Sequence, residues 1–149
     1  MGFVGGAFSP PAMSWLARRE LPPASGLRLG PGLDPEVVHG ALERIWALGG
    51  IQALVAFGSR ARDTAHPDSD LDLAVILQQP QLDPEQKARC WARCREAMGL
   101  IGVGVDLVVV GSADAERLSG SRWHVLGDVA RGGRVLCSAG AAGAGDVPG

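Results

Sequence analysis

Three aspartates define the chemistry that this sequence allows. Asp70 and Asp72 lie two residues apart in Asp70-Leu71-Asp72-Leu73-Ala74-Val75-Ile76-Leu77. Side chains alternate along a strand, so both carboxylates share one face, about 7 Å apart along the chain. Aspartate is depleted in strands, and like charges on one face repel. A cation is therefore expected between them, most simply a divalent metal. Asp106 repeats the anomaly in Val103-Gly104-Val105-Asp106-Leu107-Val108-Val109-Val110, a run otherwise apolar on both faces. If the two strands are neighbours, Asp106 completes a three-carboxylate cluster that can hold two hard cations. That is the arrangement for in-line phosphoryl or nucleotidyl transfer. Two acids would bind the metals that grip a triphosphate. The third would share a metal and take the proton from an attacking hydroxyl.

The preceding loop supplies the complement. Phe57 ends an apolar run, and Gly58-Ser59 follows. Glycine lets backbone approach a phosphate closely. Ser59 reads as the N-cap of a short helical turn through Arg60-Ala61-Arg62, whose exposed N–H groups would bind anions. Arg62 can add a charge-assisted contact to the triphosphate. Arg60 is the weaker candidate for that contact, and His66, beside Pro67, reads as a turn residue.

These groups need a sheet to hold them. Asp34 caps a helix with Pro35 at its first position, and Val38, Ala41, Leu42 and Ile45 form its apolar face. Gly49-Gly50 ends it. Ile51 to Phe57 and Asp70 to Leu77 read as strands. Pro84 to Met98 reads as a second helix with Ala88, Trp91, Cys94 and Met98 on its face. Val103 to Val110 is a third strand. Helical pieces at 113–118 and 122–130 follow, then a short strand at 134–137. The first two strands have no helix between them, whereas the third follows a helical crossover. The fold class is therefore α+β (α/β), with a small mixed sheet flanked by helices.

Composition sets the boundaries. The chain has 149 residues, 14 basic and 16 acidic, with 22 glycines and 10 prolines. Eleven of those 32 glycines and prolines fall in residues 1–33 and five in 138–149. This pattern predicts a flexible arm over 1–33, one folded domain over 34–137, and a disordered tail over 138–149. Translation could begin at Met1 or Met13. No apolar run approaches the length of a membrane span, and the N-terminus is a poor signal peptide. Three cysteines are too few and too odd for a disulfide framework, which fits a reducing cytoplasm. Cys90 and Cys94, one helical turn apart, read as core packing rather than a metal pair. Trp46, Trp91 and Trp123 read as core or interface aromatics. The net charge is −2, and no basic run exceeds Arg18-Arg19, which argues against broad electrostatic binding to nucleic acid.

Gly58-Ser59, ten residues, then Asp70-Leu71-Asp72 resembles the signature of the nucleotidyltransferase superfamily that includes DNA polymerase beta. The wording Phe57-Gly58-Ser59-Arg60-Ala61-Arg62 … Ser69-Asp70-Leu71-Asp72-Leu73 looks most like its small MNT-domain, or minimal nucleotidyltransferase, branch. The resemblance is dense over 55–76, fair around Asp106 and loose toward the C-terminus. Asp63 departs from it, because many members have glycine there. The resemblance implies that Asp70, Asp72 and Asp106 hold Mg²⁺, two ions in all, and carry catalysis. It implies that Gly58 and Ser59 hold the phosphates of ATP. It further implies an antitoxin role as a protein adenylyltransferase, moving AMP onto a tyrosine of a HEPN-domain toxin. The chain has no tyrosine of its own, so that acceptor lies on another molecule. Two other readings stand beside this one. The chain could be a binding module that neutralises its partner by occlusion, or an antibiotic-type small-molecule nucleotidyltransferase. A core this short leaves little room for the second domain that the latter generally adds.

Overall fold

The computed structural model describes residues 17–122 and 124–140. The proposed starts at Met1 or Met13, residues 1–16 of the expected arm, residues 141–149 of the expected tail, and Trp123 lie outside them. After a 3₁₀ turn at Ala24–Gly26 come α1 (Pro35–Trp46), β1 (Ile51–Phe57), a 3₁₀ turn (Gly58–Arg60), β2 (Leu71–Leu77) and α2 (Pro84–Met98). Then follow β3 (Val105–Gly111), α3 (Ser112–Leu118), α4 (Val125–Gly132) and β4 (Arg134–Ser138). The sheet order is β3-β2-β1-β4. β1 runs antiparallel to β2 and β4, while β2 and β3 are parallel. This is the expected mixed sheet, with helices on both faces.

Local signals explain the helices. The Asp34 carboxylate accepts from Glu36 N at 3.0 Å, and Val38, Ala41, Leu42 and Ile45 are the buried face of α1. Asp83 and Gln86 form a reciprocal capping box at the start of α2. The α2 face differs from expectation. Cys94 and Met98 are buried and Cys90 packs beside them, but Ala88 is exposed and Trp91 is 43% exposed. The helix lays its i, i+4 stripe on the sheet, so Trp91 swings outward. Its indole donates to Leu107 O at 3.2 Å and covers the free edge of β3. Burial, with Cys90 beside it, pushes the Cys94 thiol up to about 11, as suits a packing residue.

Strand parity divides the core. Leu71, Leu73 and Val75 join Leu54, Leu107 and Val109 under α1 and α2. Ala74 and Ile76 join Val55, Phe57 and Val110 under α3 and α4. The folded part extends beyond 34–137. Leu27 and Leu29 are buried in the α1–α2 layer. Arg19 and Ser138 exchange backbone hydrogen bonds at 2.9 and 2.8 Å along the outer edge of β4. Apolar side chains at 27 and 29 fill space that the 34–137 core leaves open, which a glycine- and proline-rich composition obscured. Among the described residues, no helix is long and apolar enough to cross a membrane.

Candidate active site

The three aspartates meet at one end of the sheet. Asp72 is the register partner of Asp106 across the parallel β2–β3 pair. Parallel register keeps paired side chains on the same face, about 4.8 Å apart between strands. That face is the one beneath α3 and α4, since Asp72 alternates in phase with Ala74 and Ile76, and Asp106 with Val108 and Val110. Asp70 immediately precedes β2. Its carboxylate rests against Gly104, where an added Cβ would stand 2.5 Å from Asp70 Oδ1.

Gly58 closes the other side. Phe57 pairs with Asp72 across the antiparallel β1–β2 ladder, so the next residue turns directly over the Asp72 side chain. Gly58 has φ +72°, and a Cβ there would overlap Asp72 Oδ2 and lie 3.2 Å from its Cγ. Only glycine fits both the backbone conformation and the space. Ser59 is placed differently from expectation. The 3₁₀ turn has Phe57 at its N-cap with no side-chain cap, so Ser59 lies within the turn. Its carbonyl accepts from Arg62 N at 3.2 Å and Thr64 N at 3.1 Å.

The local charge is strongly negative. Asp72 has its carboxyl raised above the ordinary value. Burial contributes most, then the charges of Asp106 and Asp70, while Arg62 pulls the other way. Asp70, Asp106 and Arg62 are exposed and Asp72 is half-buried. Asp106 lies in the valine-rich β3 as expected, but β3 is an edge strand and its leading end reaches solvent, so the carboxylate is exposed. Among the described residues these carboxylates do not form a closed ligand cluster, so Asp70, Asp72 and Asp106 share a face without making a ready-built cage.

The raised carboxyl has a measurable consequence. A native-state value above the unfolded one favours the protonated form, so its stabilisation is full below the unfolded value and lost as pH rises through the native one. In metal-free buffer, Asp72→Asn is expected to raise Tm at neutral pH. The gap to wild type should close on acidification through that window. Tm against pH for both proteins checks this, and an equal or lower Tm for the variant at pH 7 would remove the electrostatic account.

Two arginines brace the loop from behind. Arg60 is fully buried, and no phosphate contact is open to it. Its guanidinium donates to Leu29 O, Pro31 O, His66 O, Pro67 O and Ser69 O, at 2.8 to 3.3 Å. Arg134 on β4 donates to Ala61 O at 3.2 Å and pairs with Asp63 at 3.3 Å. Asp63 takes φ +61°, the conformation that glycine adopts most readily, so the departure from the family wording preserves the turn. His66 is the turn residue expected, with its N–H on Ser69 Oγ at 2.8 Å.

A nucleotidyltransferase domain model matches residues 38–121, more than half of the chain. Among solved structures, one from Sulfolobus solfataricus described as a nucleotidyltransferase is 16% identical with a TM-score of 0.50. The match covers 69% of this chain and 78% of that one. A toxin–antitoxin crystallised with AMP-PNP is 22% identical with a TM-score of 0.44, over 66% and 71%. A mutant MntA–HpeT toxin–antitoxin is 22% identical with a TM-score of 0.43, over 65% and 68%. No curated protein matches the chain significantly. The Sulfolobus likeness is one of fold.

Proposed function

The chain belongs to the nucleotidyltransferase domain family, and on that premise we propose that it moves AMP from ATP onto a tyrosine hydroxyl of a HEPN-domain toxin, acting as its antitoxin. One observation carries the chemistry: Asp72 and Asp106 stand in parallel register on one sheet face, with Gly58 turned against the Asp72 carboxylate. The antitoxin part is supported by the wording of the motif from Phe57 to Leu73 and by the open setting of the carboxylates. An acceptor docked from outside can reach Asp106 at the exposed end of an edge strand. The chain itself contains no tyrosine.

The donor set suits a hard divalent cation. It consists of carboxylate oxygens, and burial together with their mutual repulsion already raises Asp72. Asp70, Asp72 and Asp106 would hold Mg²⁺, which when bound neutralises the triphosphate and the departing pyrophosphate. Gly58 and Ser59 bring backbone against the phosphates, and Arg62 adds a positive charge beside them. The acceptor oxygen attacks the α-phosphorus, and the bond to the bridging oxygen of pyrophosphate breaks. The Asp106 carboxylate accepts the hydroxyl proton. The three free cysteines suit a reducing cytoplasm.

The test incubates the protein with labelled ATP, Mg²⁺ and the product of the neighbouring gene. Label is expected on a tyrosine of that partner. Neutralisation of the partner without label, surviving Asp70→Asn with Asp72→Asn, would replace transfer by occlusion.

A further inference from the structure

The segment from Leu27 to Gly32 lies before the matched family domain and looks like linker in sequence. In the fold it is laid against the loop that joins the glycine–serine turn to Asp70. Leu27 and Leu29 anchor it in the core at 3% and 4% exposure. Between and beyond these anchors, Arg28, Gly30 and Gly32 take φ of +52°, +90° and +88°. These left-handed residues bend the segment so that its carbonyls face the loop. A Cβ on Gly32 would run into the Pro67 backbone, 2.6 Å from its Cα, and one on Gly30 would stand 3.3 Å from Ala65 Cβ.

Two guanidinium groups fasten the contact. Arg60 Nη1 donates to Leu29 O and Pro31 O, both at 2.8 Å. Its Nε and Nη2 reach Ser69 O at 3.0 and 2.9 Å. Arg60 therefore follows Ser59 directly in sequence and grips the carbonyl that directly precedes Asp70. Arg134 Nη1 donates to Arg28 O, while its Nη2 holds Ala61 O. A buried cation with no carboxylate partner is tolerated only when its donors are all met. Here backbone carbonyls of the loop and of the segment meet them jointly, so neither piece can move without stranding donors of Arg60.

We propose that Leu27–Gly32 is a positioning strap for the nucleotide-binding loop, and that Arg60 is the positioning residue linking the strap to both Ser59 and Asp70. The proposal rests on the reading of Gly58, Ser59 and Asp70 as nucleotide- and metal-binding groups. Lysine cannot replace Arg60, because one ammonium with three donors does not span five separate carbonyls.

The test uses the full chain with a fluorescent ATP analogue and Mg²⁺, alongside amide hydrogen exchange. The variants are Arg60→Lys, Gly32→Ala and, as control, Gly49→Ala. Gly49 has φ +83° and nothing within 4 Å of an added Cβ, so it carries the backbone penalty without touching the strap. Arg60→Lys and Gly32→Ala are expected to weaken nucleotide affinity about tenfold or more, as small misplacements of binding groups do. Exchange should quicken over residues 61–70 while the β1 and β2 amides stay protected. Gly49→Ala should keep affinity within about twofold of wild type. Wild-type affinity in the folded Arg60→Lys protein, or in Gly32→Ala, would overturn the strap. A wild-type protein that binds no nucleotide would overturn the functional reading instead. The exchange pattern then decides alone: quickening confined to 61–70 supports the strap, and a uniform rise across the sheet overturns it.

Discussion

Asparagine in place of either Asp70 or Asp72 is expected to lower nucleotidyl transfer by about 10²-fold or more, since charge stabilisation by a bound metal is worth several kcal/mol at about 1.4 per decade. The substitution keeps the shape and removes one negative charge. It also leaves the β1–β2 and β2–β3 ladders intact, since Phe57, Asp72 and Asp106 pair through backbone. Asp72→Asn is expected to be the better folded of the two, because it discharges a half-buried carboxyl repelled by Asp106 and Asp70. A more stable and less active protein is the signature of a residue held for chemistry rather than for the fold. Initial rates of label transfer at saturating Mg²⁺ check the prediction, and a loss under tenfold in both variants would strip these residues of the assigned roles.

Much of this arrangement could be read from residue order, for definable reasons. The α1 face of Val38, Ala41, Leu42 and Ile45 is legible because a 3.6-residue period admits one solution. The closeness of Asp70 and Asp72 is legible from their two-residue spacing, although Asp70 stands just before β2 and its carboxylate rests against Gly104. The pairing of Asp72 with Asp106 is another matter. The spacing of the two runs leaves the β2–β3 register free, and a slip of one residue would send Asp106 to the opposite face. Packing under two helix layers sets it: Leu71, Leu73 and Val75 must face α1 and α2 together with Leu107 and Val109. The role of Arg60 is hidden for a different reason. Its partners are backbone carbonyls of Leu29, Pro31, His66, Pro67 and Ser69, which every residue type possesses. Gly30-Pro31-Gly32 reads as linker because the conformations it adopts carry no partner signal. Spacing alone puts Trp91 on the α2 face, but the stripe that packs is Cys90, Cys94 and Met98, and the indole turns out to the Leu107 carbonyl at the free β3 edge. The carboxylates and the turn are legible because their residue types are chemically demanding. Their buttressing is not, because it is made of backbone.

The second large effect follows from Gly58. An alanine there meets two obstacles. At φ +72° a side chain costs roughly 1–2 kcal/mol in backbone strain. Its methyl would also overlap Asp72 Oδ2. Backbone cannot yield, since Phe57 is held in the ladder beside Asp72, whereas the Asp72 carboxylate can rotate. The strain therefore falls on stability in modest measure, and the overlap falls on chemistry. Gly58→Ala is expected to fold with a lowered Tm and to lose about 10²-fold in transfer, as displacement of a catalytic group by an ångström can cost. Combining it with Asp72→Asn separates this account from a general loosening. If the methyl acts by displacing the carboxylate, removing that charge first leaves little more to lose, and the two activity losses will be far from additive. If the losses instead multiply, Gly58 serves the phosphates independently of Asp72. If Gly58→Ala keeps transfer within tenfold of wild type, the close approach of turn and carboxylate has no part in the reaction.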